Sequence, residues 1–281
     1  MRNIHVNDII KAVAKLCKEA NYYLSNDIER GLKKGIETEV SPKGKEVLGH
    51  LIENAQISKT RKMPICQDTG MAVVFMDIGQ DVHIVGGNIT DAVNEGVRRG
   101  YNKGFLRKSV VGDPILERVN TGDNTPAIIH YNITDGNKIK ITMAPKGFGS
   151  ENMSQLRMFT PSEGAEGVKK FIIEVVDQAG PNPCPPIIVG VGIGGTMEKA
   201  AFLAKKALLR PIDVGNQQAQ IKKMEDELLE NINRLGIGPA GLGGRLTALA
   251  VNIEVFPTHI AGLPVAVNIG CHATRHAEVL I

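Results

Sequence analysis

Three of the four cysteines in this 281-residue chain sit where a thiol could do chemistry. Cys66 lies in Pro64-Ile65-Cys66-Gln67-Asp68-Thr69-Gly70, Cys184 in Pro183-Cys184-Pro185-Pro186, and Cys271 in Ile269-Gly270-Cys271-His272. Proline or glycine close to each one predicts loops in which backbone comes near a ligand. Cys17 differs. It falls on the apolar stripe of Ile10, Val13 and Leu16, at helical spacing, and reads as core filler. Four thiolates would close a metal site, whereas three leave one coordination position open for a substrate. Scattered cysteines alone are more often packing than ligation. Here their neighbours matter. Gln67 and Asp68 directly follow Cys66, and Cys271 comes shortly after Thr258-His259-Ile260-Ala261-Gly262-Leu263-Pro264. Amide, carboxylate and imidazole groups would then surround an open metal position.

Loops of this kind need rigid elements to hold them. The first third of the chain predicts helices over 8–24, 26–35 and 41–58, with Asn7 and Ser41 as N-caps and Pro42 at the first helical position. A strand over 72–78 follows the first cysteine loop, and then a helix over 90–103. Strands over 127–133 and 138–144 are separated by Thr134-Asp135-Gly136-Asn137, a strong hairpin signal. Further on, the pattern gives a helix over 162–178, a buried strand over 187–191, and helices over 196–208 and 214–235. A glycine-rich stretch over 236–244 leads into strands over 247–255 and 265–269. Runs of helices and runs of strands predict an α+β (mixed α/β) fold, a helical N-terminal part with a mixed, partly antiparallel sheet. The sequence shows no internal repeat and no low-complexity linker. It reads as one domain over 1–281, or as one domain of two lobes.

Two motifs invite other readings. Gly190-Val191-Gly192-Ile193-Gly194-Gly195 satisfies GxGxxG, with Asp213 downstream, as in a dinucleotide site of an NAD-dependent oxidoreductase. Against it, Asp213 is predicted to join two helices rather than to end a strand. Close packing of helix on strand explains the glycines as well. His272 and His276 have HxxxH spacing, which on a helix would present two imidazoles for zinc, but a surface pair is the simpler reading. A net charge of +3, 4% aromatic residues and no tryptophan argue against nucleic acid. The chain has no apolar run of transmembrane length and no signal-peptide pattern at its start, which predicts a cytoplasmic protein away from membranes.

Taken together, the motifs resemble the oxygen-sensitive iron–sulfur hydro-lyases of the class I fumarase and L(+)-tartrate dehydratase family. The Pro64–Gly70 segment looks like that family's first cluster motif. Ala144-Pro145-Lys146-Gly147-Phe148-Gly149-Ser150-Glu151-Asn152 resembles its glycine-rich substrate loop. Cys184 with the following glycines resembles the second cluster motif, and His259 to Asn268 with Cys271 the third. The resemblance runs from about Val6 to the C-terminus and covers the α half of the family. It implies a 4Fe–4S cluster on Cys66, Cys184 and Cys271, with the fourth iron open to substrate. It also implies substrate contacts from Gln67, Arg107 and the backbone at Gly147 and Gly149, and an acid–base pair of Asp68 and His259. The expected reaction is hydration of fumarate to (S)-malate, with dehydration of L(+)-tartrate as the alternative. A separate β subunit would complete the site in an α2β2 assembly. An iron–sulfur redox sensor is the non-enzyme alternative, and the acid–base pair speaks against it.

Overall fold

Residues 71–79 are apolar enough to be buried on both faces, and they form the centre of a sheet. In the computed structural model, which describes residues 1–281, the chain divides into two compact units. The first comprises residues 1–24, 55–148 and 275–281, and the second residues 25–54 and 149–274.

In the first unit, the central strand β2 (Met71–Gly79) pairs in parallel with β4 (Ile128–Thr134) and antiparallel with β5 (Ile139–Lys146). A short strand β10 (Ala277–Leu280) extends the sheet beyond β5, giving the order β10-β5-β2-β4. The expected hairpin between β4 and β5 is therefore not formed, because β2 lies between them. The reason is backbone satisfaction. A strand buried on both faces cannot leave one edge of N–H and C=O groups unpaired. The turn after β4 straddles the end of β2 instead, with Gly79 N donating to Lys138 O (2.8 Å), Gln80 N to Thr134 O (2.8 Å) and Asp81 N to Gly136 O (3.0 Å). Helices α1 (Val6–Tyr22) and α4 (Ile89–Lys103) pack together with this sheet around Ile9, Val13, Val74, Val97 and Met143. The cap of α1 is His5 rather than Asn7: its Nδ1 accepts from Asn7 N at 3.1 Å. Two short strands not foreseen, β1 (Arg2–His5) and β3 (Val82–Val85), form a parallel ribbon.

In the second unit, β7 (Ile187–Gly194) is the central strand. It pairs in parallel with β8 (Ala248–Phe256) and antiparallel with β9 (Leu263–Gly270), and β6 (Gln155–Phe159) lies outside β9. The order β6-β9-β7-β8 repeats the directions of the first sheet, and its strands β9-β7-β8 repeat the connectivity of β5-β2-β4; the edge strands differ, β10 coming last in the chain and β6 before β7. The repeat that sequence patterning does not show thus exists at the level of topology. Helices α2 (Asn26–Thr38), α6 (Gly164–Ala179), α7 (Met197–Ala207) and α8 (Ala219–Asn233) belong to this unit, and α3 (Pro42–Arg61) carries the chain from it into the first. A single-turn helix α5 (Phe148–Glu151) follows β5. Ser41 caps α3 as expected, its Oγ accepting from Gly44 N at 3.1 Å ahead of Pro42 at the first helical position. Helix α8 starts at Ala219 rather than 214, because Asn216 is committed elsewhere. Its N donates to Glu225 Oε2 (3.0 Å) and its Nδ2 to Ile253 O (2.8 Å).

The glycine motif has a packing explanation. A Cβ at Gly190 would lie 2.3 Å from Ala204 O, and one at Gly192 would lie 2.0 Å from Ala200 O, both on α7. Asp213 ends no strand and pairs with Arg30 at 2.6 Å. The dinucleotide reading is thereby overturned. Glu39 anchors a second close approach: its carboxylate accepts from the N–H groups of Val40, Ser41, Arg245 and Leu246 at 2.7–3.0 Å. Burial alone would raise its pKa, but those four donors outweigh it and hold the carboxyl below its ordinary range. No helix is long and apolar enough to cross a membrane.

Two stability predictions follow from these contacts. Gly192→Ala should destabilise the fold by about 1–3 kcal/mol through overpacking. Gly49→Ala, in α3 with nothing within 4 Å of the new methyl group, should stabilise it by about 0.5–1 kcal/mol. Denaturant titration of both variants checks the contrast. Glu39→Gln should cost about 1.5–3 kcal/mol above pH ~4.3, the ordinary value for glutamate. Because the folded pKa is depressed, that difference should shrink as pH falls below this value, and a pH series of unfolding midpoints reads it.

Candidate functional site

The first unit supplies one cysteine loop. After α3 the chain runs irregularly through residues 62–70 and enters β2. Cys66 is half-buried and Gln67 is exposed. Ile65 N donates to Asn21 O at 2.9 Å, which fixes the residue before the cysteine. Asp68 fixes the residues after it: its Oδ1 accepts from Gly70 N and its Oδ2 from Phe148 N, each at 2.9 Å. Gly70 has φ +70°, and a Cβ there would lie 2.7 Å from the backbone of Lys146. Tyr101 Oη donates to Thr69 O (2.8 Å) and Gly70 O (3.0 Å), and Asn124 Nδ2 donates to Gly70 O (3.1 Å). Burial pushes the Tyr101 phenol up, which keeps it a donor. Thr69 Oγ1 donates to Arg107 O at 2.9 Å, so the arginine main chain is tied to the cysteine loop while its side chain stays exposed. Gly147 lies against the same carboxylate; a Cβ there would be 3.1 Å from Asp68 Oδ2. The structure thus brings together Cys66, Asp68, Gly147 and the Arg107 backbone.

The second unit brings Cys184 and Cys271 together through its strand register. Antiparallel pairing sets Ile188 opposite Gly270, so the chain entering β7 and the chain leaving β9 meet at one end of the sheet. Cys184 is exposed and sits at φ +56° in the loop after α6, its N donating to Pro181 O at 3.0 Å. Its carbonyl accepts from His272 N (3.3 Å) and lies 3.0 Å from His272 Nδ1. Cys271 O accepts from Thr274 N (2.9 Å) and Oγ1 (2.7 Å). The 271–276 segment is therefore a turn, not a helix, and the HxxxH zinc reading loses its helical face. Gly149 lies in the same unit, its Cβ position 3.8 Å from Asn182 O, two residues before Cys184. Nearby, Glu151 accepts from Asn268 Nδ2 (2.8 Å) and pairs with Lys205, while Ser154 Oγ accepts from Ile269 N (3.1 Å). These bonds tie the start of that loop to the end of β9.

His259 does not join them. It is exposed in the turn between β8 and β9, where Thr258 Oγ1 donates to Gly195 O at 2.8 Å. That is the opposite end of β7 and β9, seven residue steps or roughly 23 Å of strand from the two cysteines.

The donor set separates cleanly. Cys17 is fully buried on α1, and burial drives its thiol pKa far up, which leaves it an inert apolar filler. Cys66, Cys184 and Cys271 lie outside the core and form no disulfide. No three His, Cys, Asp or Glu side chains gather as ligands of a single metal ion. Loop thiols are the donors an iron–sulfur cluster takes, so the residues present suit that group. Asn21, Tyr101 and Asn124 had no sequence signal, since each is buried far along the chain from the cysteine loop that it supports.

The model of the family described as fumarate hydratase (Fumerase) matches residues 10–280. A Methanocaldococcus jannaschii protein provisionally named L(+)-tartrate dehydratase subunit alpha is 44% identical over 275 residues, covering 96% of each chain. The L(+)-tartrate dehydratase subunit alpha of Escherichia coli K12 is 34% identical over 280 residues, covering 98% of this chain and 91% of that protein. The protein of the same name from Shigella boydii has the same identity and coverage.

Alkylation should expose the division among the cysteines. In metal-free folded protein, iodoacetamide should label Cys184 first, Cys66 and Cys271 more slowly, and Cys17 only after unfolding. Peptide mass mapping over time reads the order, and early labelling of Cys17 would show that α1 does not seal its thiol.

Proposed function

The chain belongs to the fumarate hydratase family, and on that premise we propose that it is the α subunit of an iron–sulfur hydro-lyase acting on a small dicarboxylic acid. The reaction we assign is reversible hydration of fumarate to (S)-malate. L(+)-tartrate dehydration is the second reading, favoured by the names of the relatives. One observation carries the cluster assignment: three cysteines lie outside the core on loops at strand ends, while the fourth is sealed in the core.

In this reading Cys66, Cys184 and Cys271 hold a 4Fe–4S cluster. When bound, it supplies a Lewis acid for the departing hydroxyl, an effect worth several kcal/mol. The remaining work falls to side chains and backbone. The Arg107 guanidinium, exposed and carrying no ion pair, receives a substrate carboxylate through a charge-assisted bond. Gln67 and the N–H groups of Gly147 and Gly149 orient the same substrate. Asp68 is assigned proton transfer, since each of its oxygens keeps a lone pair after accepting a backbone N–H. His259, at the far end of its own sheet, would serve the site of a second copy of this chain. That fits an α2β2 assembly. The β subunit supplies the other groups that a dianion needs. A cluster open to small oxidants suits a reducing compartment, and we assign the protein to the cytoplasm.

The test is anaerobic co-expression with the partner subunit, followed by iron and sulfide analysis. Cys66→Ser, Cys184→Ser and Cys271→Ser should each lose the cluster, and Cys17→Ser should keep it. Full cluster content in any of the three loop variants overturns the assignment. Assays on fumarate, malate and L(+)-tartrate decide the substrate. Arg107→Ala should raise KM for that substrate by roughly ten- to a hundredfold with a smaller change in kcat, the signature of a lost carboxylate contact.

A further inference from the structure

The geometry points to Arg275 as a positioning residue for the Cys66 loop, one that brings a buried positive charge beneath it; this rests on the cluster assignment above. Arg275 belongs to the first unit and is 4% exposed. Its Nη2 donates to Asp68 O at 2.9 Å, two residues past Cys66. Its Nε and Nη2 both reach Asn21 Oδ1, at 3.3 and 3.0 Å. Asn21 is itself fully buried, and its Nδ2 donates to Cys17 O at 2.9 Å. The main-chain oxygen of Asn21 accepts from Ile65 N at 2.9 Å, one residue before Cys66. The loop is thus gripped on both sides of the cysteine by one Asn–Arg pair rooted in α1.

A lysine could not make these bonds. The guanidinium fork presents several N–H donors in fixed directions, and here they bridge a side-chain amide and a backbone carbonyl at once. Burying that fork is costly unless it is hydrogen-bonded. The loop geometry and the charge are therefore coupled: the arginine stays buried because the loop carbonyl is there, and the loop stays in place because the arginine is. A thiolate-held cluster is net negative, and its potential depends on nearby charge and on burial. A buried guanidinium beside one ligand loop should favour the more reduced, more negative form. Arg275 is buried and reaches the loop through the Asp68 carbonyl, so its role is to hold a ligand loop and to set the field there.

The experiment uses the anaerobically assembled two-subunit enzyme with Arg275→Gln and Arg275→Lys beside wild type. Three readouts are taken: iron and sulfide per chain, the midpoint potential of the cluster, and the rate of iron loss to a chelator. Arg275→Gln should release iron about tenfold faster, the equivalent of one lost charge-assisted bond, and should shift the potential downward. Arg275→Lys should release iron faster too, with a potential near that of wild type, because it keeps the charge and loses the fork. If Arg275→Gln does not fold, as judged by circular dichroism, Arg275→Lys carries the test, and wild-type iron retention in it overturns the proposal. Unchanged potential and unchanged iron release in a folded Arg275→Gln enzyme also overturn it. If wild type itself holds no iron and sulfide, the cluster assignment fails first, and that result is distinct from a variant-specific effect.

Discussion

A strand buried on both faces must have both rows of its backbone polar groups paired, and that constraint orders everything else in this chain. An unpaired buried N–H or C=O costs about 1–3 kcal/mol, and a strand edge carries several. β2 and β7 are the strands under this demand. Each is satisfied the same way, with a parallel neighbour on one side, an antiparallel neighbour on the other, and the connection between those neighbours wrapped around its C-terminal end. Local turn chemistry would have closed a hairpin over residues 134–137. The demand of β2 overrides it, because the insertion satisfies a whole strand while a hairpin satisfies only itself.

With both edges of the central strands paired, the three exposed or half-buried cysteines fall on irregular backbone at strand ends. Cys66 stands just before β2 and Cys184 just before β7, at corresponding positions of two sheets whose three inner-connected strands share one topology. Cys271 follows β9, and the glycine loop at Gly147 follows β5, again corresponding positions. A rigid strand fixes where such a loop begins, and side-chain hydrogen bonds fix its shape. In the first unit Asp68, Tyr101 and Asn124 perform the second task; in the second, His272 and Thr274 do. Loops of six to nine residues would otherwise sample many conformations at about 1–2 kcal/mol per residue. Preorganisation of this kind is what ligand positions require.

The parts legible in the sequence were those governed by local rules. The helices, the buried strands at 71–79 and 187–194, and the Ser41-Pro42 start of α3 follow from periodicity and capping. The contrast between Cys17 and the loop cysteines was readable because a helical apolar stripe is a local pattern. Partner choice among strands was not, since it depends on which strand is most deeply buried. Four short strands escaped notice for a related reason: β1, β3, β6 and β10 have four or five residues each and gain their identity from a neighbour. The buried supports of the Cys66 loop come from α1, α4 and the loop after α4, so no motif around the cysteine could have announced them.

His259 shows where motif and geometry separate. His259 precedes Cys271 by twelve residues in sequence, and the predicted strand over 265–269 lies between them. That strand is β9, which runs from Leu263 to Gly270 and extends the segment nearly to its full length. A strand is a ruler: at about 3.3 Å per residue it converts nearness in sequence into distance in space. The antiparallel register of β7 and β9 draws Cys184 and Cys271 together and by the same act sends the β8–β9 turn to the other end. Within one subunit the strands therefore hold the His259 turn away from both cysteines.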